Sequence, residues 1–240
     1  MKRRVPTDGA PASGRPPAYA TGGELCVPPN APQTLVAALV AAARSATPDD
    51  ICYCLPGGDR LNCSFAELLA EAERIACGLR DRKIFPGECV LVLLDANQQI
   101  LPTFWGCLLS GAVPVVAGVP VDLSNRSRSL EQLIATWAHL LEPTVVVAEG
   151  NKELQAALKR QGRISAERLA TFESLRTHEP DSQHHLAQPG DTAFLSLTSG
   201  STGVPKCVQL THLNVLSRAH GANQLGRHAE SGRASCRERV

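Results

Sequence analysis

The stretch "SFAELLAEAERIACGLRDRKIFPGECVLVLLDAN", Ser64 to Asn97, holds two periods back to back. In its first half Phe65, Leu68, Leu69, Ala72, Ile75, Ala76 and Leu79 recur at helical spacing and fall on one stripe. Ser64 opens this run, and Glu67 stands three residues on, the spacing of a capping box. Pro86-Gly87 then breaks the chain, and Cys89 to Leu94 is a continuous apolar run. A run of that length without alternation predicts a strand buried on both faces, as in a parallel sheet covered by helices.

The same alternation extends in both directions. Downstream, a helix is predicted from Asn97 to Ser110, with Gly111 as its stop, and a strand from Val113 to Ala117. Ser129 with Gln132 has capping-box spacing and is expected to open a helix carrying Leu130, Leu133, Ile134, Trp137 and Leu140. Thr144 to Ala148 reads as another buried strand and Asn151 to Arg160 as a helix. Upstream lie a short apolar helix, Leu35 to Ala43, and a hairpin of Ile51–Leu55 and Arg60–Cys63 about Pro-Gly-Gly-Asp. Repetition of this kind predicts an α/β fold with a largely parallel sheet flanked by helices. Residues 1–32, rich in Pro, Gly, Ala and Ser, are expected to form a disordered arm or linker. Thr177 to Pro189 reads as a polar connector, and Thr192 to Leu197 as the next strand.

Composition excludes several classes of function. The net charge is +1, and acidic and basic residues are interspersed, so no nucleic-acid-binding face is expected. Ala96 to Val121 carries no charge, but Pro102, Gly111, Pro114, Gly118 and Pro120 punctuate it. A buried helix followed by a buried strand accounts for it, and no membrane span is expected. No apolar segment follows the basic Lys2–Arg4, so no signal peptide is read and the expected location is cytoplasmic. The nine cysteines are odd in number and contain no C-x-x-C pair. They are expected to be scattered, buried thiols in a reducing compartment, with no metal site. The seven histidines show no ligand spacing, and His184-His185 reads as part of a solvated loop.

The stretch with the most chemistry is "SLTSGSTGVPKCVQLTH", Ser196 to His212. It follows directly from the strand at 192–197, at the carboxyl end where α/β sheets bind ligands. Gly200 and Gly203 let backbone N–H groups converge on an anion. Thr198, Ser199, Ser201 and Thr202 add hydroxyl donors, Pro205 stiffens the exit, and Lys206 supplies a positive charge suited to a polyphosphate. A Gly/Ser surface loop is the plainer alternative, but such loops seldom end in a proline-braced lysine. A Walker loop is excluded, because Val-Pro separates Gly203 from Lys206 and Cys207 stands where a hydroxyl would hold Mg²⁺.

"LTSGSTGVPKCVQLTHLN" resembles the signature loop of the adenylate-forming enzymes: acyl-CoA synthetases, luciferases and the adenylation domains of nonribosomal peptide synthetases. Thr198 through Gly203, Pro205-Lys206, Thr211-His212 and Asn214 match its pattern, and Leu213 stands where Arg is frequent. The stretch 64–97 and "FWGCLLSGAVPVV" are similar to the family's first helix–strand units. The resemblance implies that residues 33–228 form the N-terminal portion of the family's large domain. It implies a reaction in which a carboxylic acid (fatty, aryl or amino acid) attacks the α-phosphate of Mg·ATP and releases pyrophosphate. The acyl group then passes to coenzyme A or to the phosphopantetheine thiol of an acyl or peptidyl carrier protein. Thr198, Ser199, Gly200, Ser201, Thr202, Gly203 and Lys206 are the implied phosphate-binding residues, with Lys206 the implied catalytic one. The Mg²⁺ ligands, the carboxylate pocket and the small C-terminal domain would come later than this chain reaches. The chain alone is therefore expected to be inactive and, with uncovered sheet edges, poorly soluble. A non-catalytic nucleotide- or phosphate-binding module is the alternative.

Residues 229–240 break the pattern. "GRASCRERV", Gly232 to Val240, is dense in arginine and has no apolar period. It back-translates to GGA AGA GCG TCG TGT AGG GAA AGA GTG, which resembles a sequencing-library adapter read in frame, so this tail is expected to be non-native. Re-amplification of the locus from source DNA is expected to yield a different continuation. Recovery of those nine codons, followed by a natural stop, would make the tail genuine.

Overall fold

The computed structural model describes residues 24–46, 50–55, 57–124, 126–198 and 206–226. The expectations for the arm before residue 24, for the loop 199–205 and for the tail 229–240 lie outside the described residues. Helix α1 is Leu35–Ala43, and the strands β1 (Asp50–Cys54) and β2 (Arg60–Ser64) pair as an antiparallel hairpin. There follow α2 (Phe65–Asp81), β3 (Cys89–Leu93), α3 (Asn97–Ser110), β4 (Val113–Val116), α4 (Arg128–His139), β5 (Thr144–Val147) and α5 (Lys152–Gln161). A 3₁₀ turn at Ala166–Arg168 leads into β6 (Leu169–Thr171) and α6 (Phe172–Leu175). The last described elements are β7 (Thr192–Thr198), β8 (Lys206–Thr211) and α7 (His212–Gly226). The fold is α/β, with helices on both faces of a mostly parallel sheet.

The main sheet has six strands in the order β6-β5-β3-β4-β7-β8. The pairs β5–β6, β3–β5, β3–β4 and β4–β7 are parallel, and only β8 runs antiparallel, against β7. Alternation along the central strands accounts for their wholly apolar sequence. Val90, Val92 and Val146 point to one face, where Ile75 and Leu79 of α2, Cys107 of α3, and Phe172 and Leu175 of α6 pack. Leu91, Leu93, Val145 and Val147 point to the other, against Leu130, Leu133 and Trp137 of α4 and Leu154, Ala157 and Leu158 of α5. The uncharged run 96–121 is accounted for by α3 and β4, and among the described residues no helix is long and apolar enough to cross a membrane.

Helices α2 and α3 approach closely because Gly106 has no side chain. A Cβ there would lie 2.7 Å from Ile75 Cγ2 and 2.9 Å from the Ala72 carbonyl oxygen. Ser64 caps α2 as its spacing predicts. Its hydroxyl accepts from Glu67 N at 3.2 Å, and the Glu67 carboxylate accepts from Ser64 N at 2.8 Å. Gly111 ends α3 in the left-handed conformation, φ 84°.

Three expectations need correction, and two short elements had no expectation. The cap of α4 is Ser127, whose hydroxyl accepts from Leu130 N at 3.3 Å, so the helix starts at Arg128 and Ser129 falls inside its first turn. The short β6 and α6, unmarked by periodicity, add an edge strand and a lid over α2. His184 and His185 are docked, not solvated: His184 Nε2 lies 2.8 Å from Glu73 Oε1, and the ring of His185 packs at Gly111. The thiols are also less buried than expected. Among the eight described cysteines only Cys107 is buried, and Cys26, Cys52 and Cys54 are exposed.

The connector between α6 and β7 is held along α2. Arg80 reaches both carboxylate oxygens of Asp181, at 2.8 and 2.9 Å, and donates to the Gln183 carbonyl at 3.0 Å. Arg74 donates to the His178 carbonyl at 3.0 Å. Thus one helix fixes the segment that delivers β7 to the sheet.

Gly106→Ala is expected to cost about 1–3 kcal/mol, because the added methyl meets Ile75 and the Ala72 backbone. Gly118→Ala, with nothing within 4 Å of the new atom, is expected to stay within about 0.5 kcal/mol of wild type. Urea unfolding of both variants measures the difference.

Candidate functional site

The turns that follow β3, β4 and β5 and the end of β7 all lie at the carboxyl edge of the sheet, because these strands are parallel. Strand β7 enters through the Val115↔Leu195 pair with β4 and ends at Thr198. Strand β8 begins at Lys206 and returns antiparallel, so Thr198 and Lys206 form the last pair of the ladder. The Thr198 hydroxyl donates to the Lys206 carbonyl at 3.4 Å. Strand β7 therefore ends, and β8 begins, at one point on the carboxyl edge of the sheet. Of the predicted site residues, Thr198 and Lys206 are placed side by side, whereas Ser199, Gly200, Ser201, Thr202 and Gly203 lie outside the described residues. Both Thr198 and Lys206 are exposed, and Lys206 forms no ion pair among the described residues. An exposed lysine at a strand end, paired across the ladder with a threonine, is a residue type suited to holding an anion.

The segment after β8 anchors this hairpin. Thr211 and Asn214 cap α7 reciprocally: Asn214 N donates to Thr211 Oγ1 and Thr211 N to Asn214 Oδ1, each at 3.1 Å. His212, buried between them, accepts the backbone N–H of Leu35 through Nδ1 at 3.1 Å. That amide is among the orphan donors at the start of α1, and Thr34 satisfies another by accepting from Ala37 N. The backbone N–H of His212 donates to the Asp191 carbonyl at 3.2 Å, and that of Leu213 to Pro189 at 2.8 Å. His212 thus joins α1, the connector and the end of β8. Sequence reasoning placed Thr211, His212 and Asn214 in a motif but did not find these roles. The Thr-x-x-Asn spacing carried the signal for the cap, and no pattern marked the histidine.

Accepting at Nδ1 requires neutral imidazole with its proton on Nε2. Burial lowers the His212 pKa below the ordinary 6.5; Asp191 opposes this and His185 adds to it. As pH falls below 6.5 the unfolded chain takes up a proton that the folded chain refuses. The stabilisation from His212 is therefore complete above that value and is lost as pH falls toward the folded pKa.

Concave shape alone does not lead to this edge. A cleft of about 650 Å³, lined by Arg82, Lys83, Cys89, Leu141, Thr144 and Arg168, opens at the amino ends of β3 and β5. Beside β7, among the described residues, lies a groove of about 170 Å³ lined by Phe104, Pro114, Val116, Phe194, Leu195 and Leu197.

Residues 40–236 match the model of the AMP-binding enzyme family. The nonribosomal peptide synthetase atrA of Aspergillus terreus is 35% identical over 156 residues, 64% of this chain and 16% of that protein. Enterobactin synthase component E of Escherichia coli is 29% identical over 164 residues, 62% of this chain and 29% of that protein. A solved multidomain structure of a keto acid-selecting NRPS module, comprising adenylation, ketoreductase and pseudo-Asub domains, superposes with a TM-score of 0.78 at 31% identity. That match covers 86% of this chain and 17% of the other. The McyG A-PCP structure complexed with phenylalanyl-adenylate gives a TM-score of 0.74 at 26% identity, over 80% of this chain and 30% of that one. The chain thus spans less than a third of the length of these relatives.

His212→Ala is expected to destabilise the fold by about 1–3 kcal/mol at neutral pH, through the orphaned Leu35 amide. The gap from wild type should narrow as pH falls below 6.5, because only the wild type loses the histidine's contribution there. Denaturant melts at several pH values test both statements, and a gap that stays constant would remove His212 from the account.

Proposed function

The chain belongs to the AMP-binding enzyme family, and on that premise we propose that it carries the pyrophosphate-holding part of an adenylating ligase. In this reading a carboxylate oxygen of the substrate attacks the α-phosphorus of ATP, the bond to the bridging oxygen breaks, and pyrophosphate leaves. The observation that carries the reading is the closing pair Thr198↔Lys206 at the carboxyl edge, with the lysine exposed and without an ion-pair partner among the described residues. Lys206 would meet the β- and γ-phosphates, and the charge that grows on the leaving group, with a fixed positive charge. Thr198, Ser199, Ser201 and Thr202 would add hydroxyl donors, and Gly200 and Gly203 would let backbone N–H groups approach. The Mg²⁺ that accompanies ATP would find its acidic ligands outside this chain.

The substrate class is a carboxylic acid, fatty, aryl or amino, and the acyl group would then pass to a thiol. Several relatives are nonribosomal peptide synthetases, and one neighbour was solved as an A-PCP unit, which favours a carrier-protein phosphopantetheine over coenzyme A as acceptor. In the same reading residues 33–228 are the N-terminal portion of the AMP-binding unit, and 1–32 are an arm leading into it.

The test uses the parent protein with its whole adenylation unit. Lys206→Ala is expected to slow carboxylate-dependent ATP–pyrophosphate exchange by ~10²–10³-fold, with the melting temperature unchanged. Unchanged exchange with a lowered melting temperature would make the lysine structural. Retained ATP binding, with no carboxylate of any class supporting exchange in the wild type, would favour the non-catalytic phosphate module.

A further inference from the structure

We propose that Cys52 and Cys54 form a two-thiol site for a soft, two-coordinate cation of the Cu(I) class. The two cysteines alternate with Ile51 and Tyr53 along β1, and the exposure pattern places them on the same outward face. Both are exposed, neither is in a disulfide, and among the described residues neither thiol has a hydrogen-bond partner. The hairpin holds them in register, Cys52 opposite Asn62 and Cys54 opposite Arg60, with the turn closed by the Leu55 amide on the Asp59 carbonyl at 2.8 Å. Tyr53 and Cys63 face the interior side, so they do not compete for this face.

Spacing selects the chemistry. Two residues along a strand advance about 6.6 Å, with both Cβ atoms on the same side. A disulfide wants its Cβ atoms about 3.8 Å apart, so direct bonding would require the strand to pucker. A cation held linearly between the two sulfurs instead keeps them further apart than an S–S bond does, a separation that two side chains leaning toward each other can span. Soft thiolates with no third ligand suit Cu(I) better than Zn²⁺, which takes four ligands. Among the described residues no group of three His, Cys, Asp or Glu side chains is placed to complete such a shell. On binding, each thiol releases one proton and two S–Cu bonds form, with no change of oxidation state. The strand period puts Cys-x-Cys on one face, and it is the exposure of that face that separates this pair from buried thiols.

The experiment is anaerobic titration of the reduced full chain with Cu(I) supplied as its bicinchoninate complex, read as loss of the complex's colour. One equivalent is expected to transfer to the wild type. Cys52→Ser and Cys54→Ser should each weaken the competition by at least about 10²-fold, because each removes the chelate. Cys26→Ser and Cys63→Ser should leave it unchanged. The serines replace exposed side chains, so unaltered melts are expected and distinguish lost binding from lost fold. Retained affinity in either of the first two variants, or loss in either of the second two, would overturn the site. So would a Cys52–Cys54 disulfide mapped in air-oxidised protein, since it would place the sulfurs in contact. None of these readouts involves Lys206, so they stand apart from the adenylation reading.

Discussion

Strands β3 and β5 are apolar on both faces, and this one constraint orders the rest of the molecule. Neither face can be left to water, so each parallel crossover must deposit a helix, and the helices must be shared between two sides. Helices α2, α3 and α6 take one side, and α4 and α5 the other. Parallel strands then carry their ends to a single edge. The end of β7 and the start of β8 inherit that position, so the pairing of Thr198 with Lys206 at this edge follows from how the core is covered.

Covering the core also demands tolerances that fall on few positions. Gly106 sets how near α2 and α3 can come, and α2 in turn carries Arg74, Arg80 and Glu73, which bind the connector. The path from the core to β7 therefore runs through one helix used on two sides. Its apolar stripe fills the core, and its polar stripe guides the chain toward β7.

Local order was legible in the sequence where one period dominated. The helical stripe of α2, its Ser64–Glu67 cap, the apolar run of β3 and the glycine stop of α3 could all be read from spacing. The start of α4 could not, because Ser127 and Ser129 are both competent caps and tertiary burial of Ser127 decides between them. Strand β6 has three residues, too few for any period to show. The docking of the connector could not be read for a different reason. Asp181 and His184 meet partners more than a hundred positions away, and no local pattern carries that information. At the candidate site, the glycine and hydroxyl spacing of 198–206 is the basis of the proposed phosphate loop, and the Thr211 and Asn214 spacing marks the observed helix start. The bond from Leu35 to His212 spans 177 positions and was invisible for the same reason as the connector.

That bond makes the Leu35 amide a remote gauge of the hairpin. An amide that donates to a side chain exchanges its hydrogen with solvent only when the pair opens. Opening here means either that α1 peels from the domain or that the end of β8 withdraws with His212. The exchange rate at this one position therefore reports the cohesion of the unit that presents the loop, although it is measured at the opposite end of the chain. Anything that tightens the hairpin slows the exchange of a proton that sits in the first turn of α1.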